Sequence, residues 1–218
     1  MYSKLQAVPS DIFFKSKNSE INQKIPSRDP GQLSQMQGLL NSQRIQLLFN
    51  HYDVEVLLQD GCLRVTNLNS HGAMRTCAMV HFASSIPDWL QETHNKIYNG
   101  GSIGQTIKDD GFPLTKKDSF LGVTELPEFA KLKMNTDENT AAVHIYQLVV
   151  SHPETTETVM YCTITEVHSP QYLTIGDLLY LTPATSPVPY AVTEKVQQCF
   201  DELSGLDQLL KHGVNVPR

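Results

Sequence analysis

The apolar positions of this chain change period several times, and each change marks an expected element. Between positions 32 and 49 they fall at Leu33, Met36, Leu39 and Leu40, then at Ile45, Leu47, Leu48 and Phe49. The first set has helical spacing, and Asn41-Ser42 is suited to stopping one helix and capping a second. From 52 to 59 the pattern becomes alternation through Val54, Val56 and Leu58, that of a half-buried strand. Segments 63–68 and 74–83 read as two strands joined by the polar turn Asn69-Ser-His-Gly72, a hairpin signal. Ser85-Ile-Pro-Asp88 opens a helix, with Pro87 near the first turn and Asp88 at the positive helix end. That helix runs through Trp89, Leu90 and Ile97 and stops at Gly100-Gly101. A short helix from Ile103 to Gly111 and a weaker strand over 119–125 follow.

A second hairpin is predicted from 141–150 and 158–167 across the polar loop 151–157. A last strand is expected over 172–182, before the proline-rich 183–189. Val192, Val196, Cys199, Phe200 and Leu203 then return to helical spacing. The expected organisation is a loosely structured arm over 1–30, pinned by Ile12-Phe-Phe14, one domain over 31–190, and a helical tail over 191–218 packed on it. Strands joined by tight turns, without βαβ alternation, point to an α+β fold: an antiparallel sheet with helices packed against it. No internal repeat is visible.

Composition narrows the partners. At 218 residues, 40% hydrophobic and 18% charged, the chain matches an ordinary soluble domain with its own core. It holds no apolar run near the roughly 20 residues that cross a membrane, and its first residues lack a secretory signal's apolar core, so a cytoplasmic protein is expected. The net charge of −6 without a basic block argues against nucleic acid or an anionic membrane as partner. It leaves room for a small anionic ligand, which needs only one or two buried positive groups. Cys62, Cys77, Cys162 and Cys199 form no CxxC pair, and none of the eight histidines forms an HxxxH or HxH pair. Neither a disulfide nor a metal is therefore expected. No GxSxG elbow or phosphate-cradling glycine loop is present.

One residue carries chemistry in an unusual place. Glu166 lies in an apolar and β-branched run, 159–167, where a carboxylate removed from water needs a partner or a task. Alternation does not choose between a core-facing and a solvent-facing Glu166, because Ile164 and His168 share its face while Thr165 and Val167 share the other. Arg64 reads equally as a structural ion-pair partner or an anion clamp. Arg75, at the start of the partner strand, is a rival clamp or a hairpin-surface charge. His71 and His168 are expected at the surface, and Lys116-Lys117-Asp118 in a solvated loop.

The order of short motifs resembles the chorismate lyase superfamily. The motifs are Leu63-Arg64 with Leu68, Ala83-Ser-Ser-Ile-Pro87, Ser102-Ile-Gly104, and Thr165-Glu166 with Pro170. The superfamily includes chorismate–pyruvate lyases and the ligand-binding domains of some transcriptional regulators. The resemblance spans roughly 33–170. It implies a six-stranded antiparallel sheet with helices on one side, and helical flaps over an internal ligand cavity.

The resemblance also implies site residues. Arg64 and Glu166 take the catalytic positions, with Ala83 and Gly104 at the ligand. His144 stands where a second arginine is usual in related sequences. The activity implied is cofactor-free cleavage of chorismate to 4-hydroxybenzoate and pyruvate. Arg64 would clamp a carboxylate, and Glu166 would act as general acid if burial raised its pKa. Arg75 and His144 complete the expected substrate-binding set. The alternative is a non-catalytic protein binding an aromatic or carboxylate ligand on the same fold. The partner expected is a small anionic aromatic precursor, bound by a monomer or weak homodimer. The roughly 30 residues before the first predicted helix are too few for the DNA-binding domain usual in the regulator branch.

Overall fold

A computed structural model describes residues 27–182 and 189–191 of the protein. Its centre is a sheet of six antiparallel strands: β1 (Asp53–Asp60), β2 (Leu63–Ser70), β3 (Ala73–Phe82), β4 (Leu114–Glu125), β5 (Thr140–Ser151) and β6 (Thr158–His168). A three-residue strand, β7 (Pro189–Ala191), pairs parallel with the edge of β4, giving the order β1-β2-β3-β6-β5-β4-β7. The α+β architecture is that expected from the sequence, with β7 added at one edge. The β2–β3 turn is tight because His71 and Gly72 both take positive φ, 51° and 75°, the twist that a two-residue hairpin loop requires.

Strand register sorts the sheet into two covered faces. On one, Arg64, Val80, Ile164 and Tyr146 stand in a cross-strand row, and Thr66, Ala78, Glu166 and His144 form the next. Helices α1 (Pro30–Met36), α2 (Asn41–Phe49) and α6 (Ile175–Leu181) cover one end of this face through Leu33, Met36, Ile45 and Leu178. At the other end, α3 (Gln91–Tyr98) and α4 (Ile103–Asp109) bury Ile97 and Ile107 against Val80, Tyr146 and Ile164. The opposite face carries Val65, Met79, Val143 and Val167, packed on Ala130 and Met134 of α5 (Glu128–Met134). The helices are thus mostly, but not all, on one side.

Several expectations change. Segment 172–182 is not a strand: its middle is α6, begun by a capping box in which Thr174 and Asp177 exchange side chain-to-backbone hydrogen bonds. Its apolar residues Ile175, Leu178 and Leu181 have helical spacing. Strand β4 begins at Leu114, earlier than predicted, and a bulge between Lys117 and Phe120 hides its continuity. Helix α5 was not anticipated, although Pro127, Glu128 and a left-handed Asn135 are ordinary start and stop signals. Arm residues 1–26, the tail from 192 and Cys199 lie outside the described residues. Cys62 and Cys162 are free thiols, and Cys77 is buried. Among the described residues, no helix is long and apolar enough to cross a membrane.

Asp177 ties the start of the described chain to the domain. It is fully buried and accepts from Ser27 N and Oγ at 2.9 and 2.7 Å, Arg28 N at 3.1 Å, and Thr174 N and Oγ1 at 2.9 Å each. Asp177→Ala strands these donors and is expected to lower stability by about 2–4 kcal/mol in urea unfolding, with an unchanged m-value. A loss under about 0.5 kcal/mol, the size of an ordinary surface effect, would show that the cluster does not hold the segment.

Candidate functional site

A cavity opens between the first sheet face and the segments beginning α2 and α4. Its walls combine apolar Leu40, Val54, Leu68, Val80, Leu148 and Ile164 with polar Asn41, Tyr52, Ser102 and Tyr146, and three ionisable groups, Arg64, Lys116 and Glu166. Its volume is about 80 Å³, room for a handful of waters or a few heavy atoms. Pockets that enclose drug-sized molecules run to about 300–1,000 Å³. Gly104 shapes the rim: a Cβ there would lie 2.8 Å from Leu40 Cδ2, so glycine lets α4 approach the α2 cap.

Arg64 forms one charged wall. It is 1% exposed, and its Nη1 donates to Ile97 O at 2.7 Å and Gly101 O at 3.0 Å, capping the carbonyl end of α3. Its Nε has no hydrogen-bond partner among the described residues, and none of the ion pairs among them includes Arg64. Burial lowers its pKa, against the raising effects of Tyr161 and Tyr52. Among the described residues the guanidinium is thus a buried cation hydrogen-bonded to carbonyl oxygens and without an ion pair.

Glu166, 5% exposed, forms the opposite wall. Asn41 Nδ2 donates to its Oε1 at 3.0 Å and to Thr76 Oγ1 at 3.2 Å, while Asn41 Oδ1 accepts from Tyr172 OH at 2.6 Å. Both faces of the Asn41 amide are therefore used, which fixes its orientation. On the other side, His144 Nδ1 and His168 Nε2 face Glu166 Oε2 at 3.7 and 3.8 Å. Burial pushes the carboxyl pKa up, but His144, the Lys116 charge and His168 outweigh it and hold Glu166 well below the usual carboxylate range. Burial lowers the pKa of His144, against the raising effect of Glu166, and takes His168 down to about 3 despite the nearby carboxylate. Lys116 sits 3.9 Å over the Tyr146 ring, and its pKa is lowered by burial, partly offset by Glu166.

The structure places Arg64, Gly104 and Glu166 on one cavity and His144 beside Glu166 on the neighbouring strand. Arg75 and Ala83 are not among the lining residues. Arg75 is skipped by the β2–β3 register, whose partners step from Thr76 to Met74, and its guanidinium stacks 4.1 Å over Phe49. Ala83 follows the end of β3 and hydrogen-bonds Tyr161 O through its backbone. The expectation of a surface His168 is corrected: it is 1% exposed, with Nδ1 bonded to Thr76 Oγ1 at 3.0 Å. Lys116 is not in a solvated loop but on β4 opposite Leu148. Asn41, Tyr52, Ser102 and Tyr146 were also missed. For Lys116 a signal existed, since Leu114 and Lys116 continue the alternation of the strand.

No protein-family model matches the sequence, and no curated protein matches it. Solved structures align with part of the chain at low identity. The C-terminal domain of PhnF is similar over 67% of this chain and 93% of that one, at 12% identity and a TM-score of 0.36. PhnF from Mycobacterium smegmatis is similar over 72% and 68%, at 8% identity and a TM-score of 0.39. YydK from Bacillus subtilis, described as a possible transcriptional regulator, is similar over 62% and 64%, at 11% identity and a TM-score of 0.35. Nothing about ligand or activity follows from likenesses at this level.

The polar wall is testable through Asn41. Asn41→Asp sets a second carboxylate where an amide now donates 3.0 Å from Glu166. Urea unfolding at neutral pH is expected to show a loss of about 3–5 kcal/mol, the cost of an uncompensated buried charge. Asn41→Ala, which only removes the donor, should cost about 1–3 kcal/mol. Equal losses would mean that Glu166 carries no charge.

Proposed function

We propose that this protein is a binding module whose cavity encloses a compact, carboxylate-bearing small molecule and does not turn it over. One observation carries the reading: Arg64 is a buried cation in the cavity wall without an ion pair among the described residues and with an unpartnered Nε. A buried charge is costly without compensation, and a guanidinium edge receives a carboxylate through paired, charge-assisted hydrogen bonds. Lys116 adds a second cation on the same cavity. Glu166 then faces the other end of the ligand as an acceptor, which favours a hydroxyl or amino group there. The apolar walls between them suit a short hydrocarbon body.

The geometry supports binding better than chorismate cleavage. A general acid must hold a proton at working pH, whereas Glu166 is held ionised. Chorismate, with a ring and two carboxylates, also exceeds a cavity of about 80 Å³. Acceptance of that substrate would require the α2 and α4 segments to part.

A thermal-shift and calorimetry panel tests the proposal, using short hydroxy- and amino-carboxylates, benzoate, 4-hydroxybenzoate, their amides, and chorismate with pyruvate followed by a coupled assay. A compact carboxylate should raise the melting temperature where its amide does not, and chorismate should give no pyruvate above the spontaneous rate. Arg64→Lys should weaken binding about ten- to hundredfold, the loss of one charged hydrogen-bonding group. Indifference to every carboxylate would overturn the binding reading. Enzymatic pyruvate release would restore the lyase.

A further inference from the structure

Behind the cavity wall, Glu166 meets two histidines that the sequence spaces unusually. Glu166 and His168 lie two apart on β6, so both point to the same face, and His144 is the direct cross-strand partner of Glu166 on β5. One donor atom from each of the three residues lies within 4.8 Å of the other two. From this geometry we infer a site for one divalent transition-metal ion of the zinc type, held by His144, Glu166 and His168.

Three observations carry the inference. The contacts of Glu166 Oε2 with His144 Nδ1 and His168 Nε2, 3.7 and 3.8 Å, are longer than well-formed hydrogen bonds. They are close to the spacing of ligands around a metal. Zinc takes imidazole nitrogen and carboxylate oxygen at about 2.0–2.2 Å, so neighbouring ligand atoms stand roughly 3.0–3.5 Å apart. Closing these two contacts to that spacing asks each to shorten by about 0.2–0.8 Å.

The second observation is His168 Nε2, which is buried and has no hydrogen-bond partner among the described residues. Either state of that nitrogen is poorly placed in a dry site. A protonated Nε2 is a donor without an acceptor in range, and a bare Nε2 turns its lone pair toward a carboxylate. A cation between them satisfies both groups. The third observation is the support behind the ring. Thr76 Oγ1 bonds His168 Nδ1 at 3.0 Å and is itself bonded by Asn41, the kind of outer contact that orients a metal-binding histidine.

Two imidazoles and one carboxylate suit zinc, cobalt, nickel or iron in the divalent state better than magnesium or calcium, which prefer all-oxygen sites. Three protein ligands leave a coordination position open. Glu166 is the one member of the set that also lines the cavity. The inference does not rest on the carboxylate-binding proposal, since the metal is sought without any organic ligand present.

The test uses the full chain, stripped with chelator and titrated with cobalt(II) in a non-coordinating buffer. Visible d–d absorption reports the coordination sphere, and elemental analysis after zinc loading reports stoichiometry. One ion per chain is expected, with displacement of cobalt by zinc. His168→Gln and His144→Gln should each weaken binding at least tenfold. Thr76→Val leaves all three ligands in place and should weaken it about ten- to hundredfold, as loss of an outer contact does. This provides a reading even if a histidine variant fails to fold. His51→Gln, which alters an exposed histidine stacked on His71, should bind as the parent. Substoichiometric binding, or affinity unchanged in Thr76→Val and lost in His51→Gln, would overturn the site.

Discussion

An ionised carboxylate inside the sheet is the constraint on which the rest of this structure depends. Glu166 is buried on a middle strand, where an uncompensated charge would cost several kcal/mol. Among the described residues its compensation includes Asn41 at the start of α2, His144 on β5, His168 on its own strand and Lys116 on β4. Asn41 can serve only because Tyr172, beyond β6, orients its amide. The position of α2 over the sheet and the closure of the β6 end are thus coupled to one charge. Network members of this kind act together, so single removals cost more than any one bond suggests.

The same arrangement underlies the proposed site. Arg64 and Glu166 carry opposite charges on one cavity but do not pair with each other among the described residues. Arg64 is spent partly on the carbonyl end of α3, and Glu166 is satisfied by Asn41 and its neighbours on the same sheet face. A protein selected for stability alone would gain by pairing or removing them. Their separation keeps one guanidinium edge and one carboxylate available at opposite ends of a small apolar space, an arrangement that suits a ligand with complementary ends.

Much of this was legible along the chain, for physical reasons that differ by residue. The strands up to β3 and the hairpin of β5 and β6 follow alternation and turn chemistry, which are local signals. The face of Glu166 was not legible, because helices cover both sides of the sheet and alternation loses contrast when both faces are buried. Lys116 was obscured by the charges beside it and by the bulge that interrupts β4. His168 looks like a strand end in sequence, yet the turn from Ser169 to Leu173 closes over it. Arg75 was drawn toward the cavity by strand parity, which the β2–β3 irregularity breaks. The spacing of Glu166 and His168 was visible as letters, but His144 joins them only through cross-strand register.

The direct test of the account is the charge of Glu166 itself. Selective ¹³C labelling of glutamate carboxyls, with the signal assigned through Glu166→Gln, follows that one group by NMR in metal-free protein. The expected result is a deprotonated carboxyl whose shift stays flat from about pH 8 down to about pH 4, near where an ordinary glutamate titrates. A Glu166 signal that titrates near neutrality would contradict it, and would return the residue to the role of a general acid.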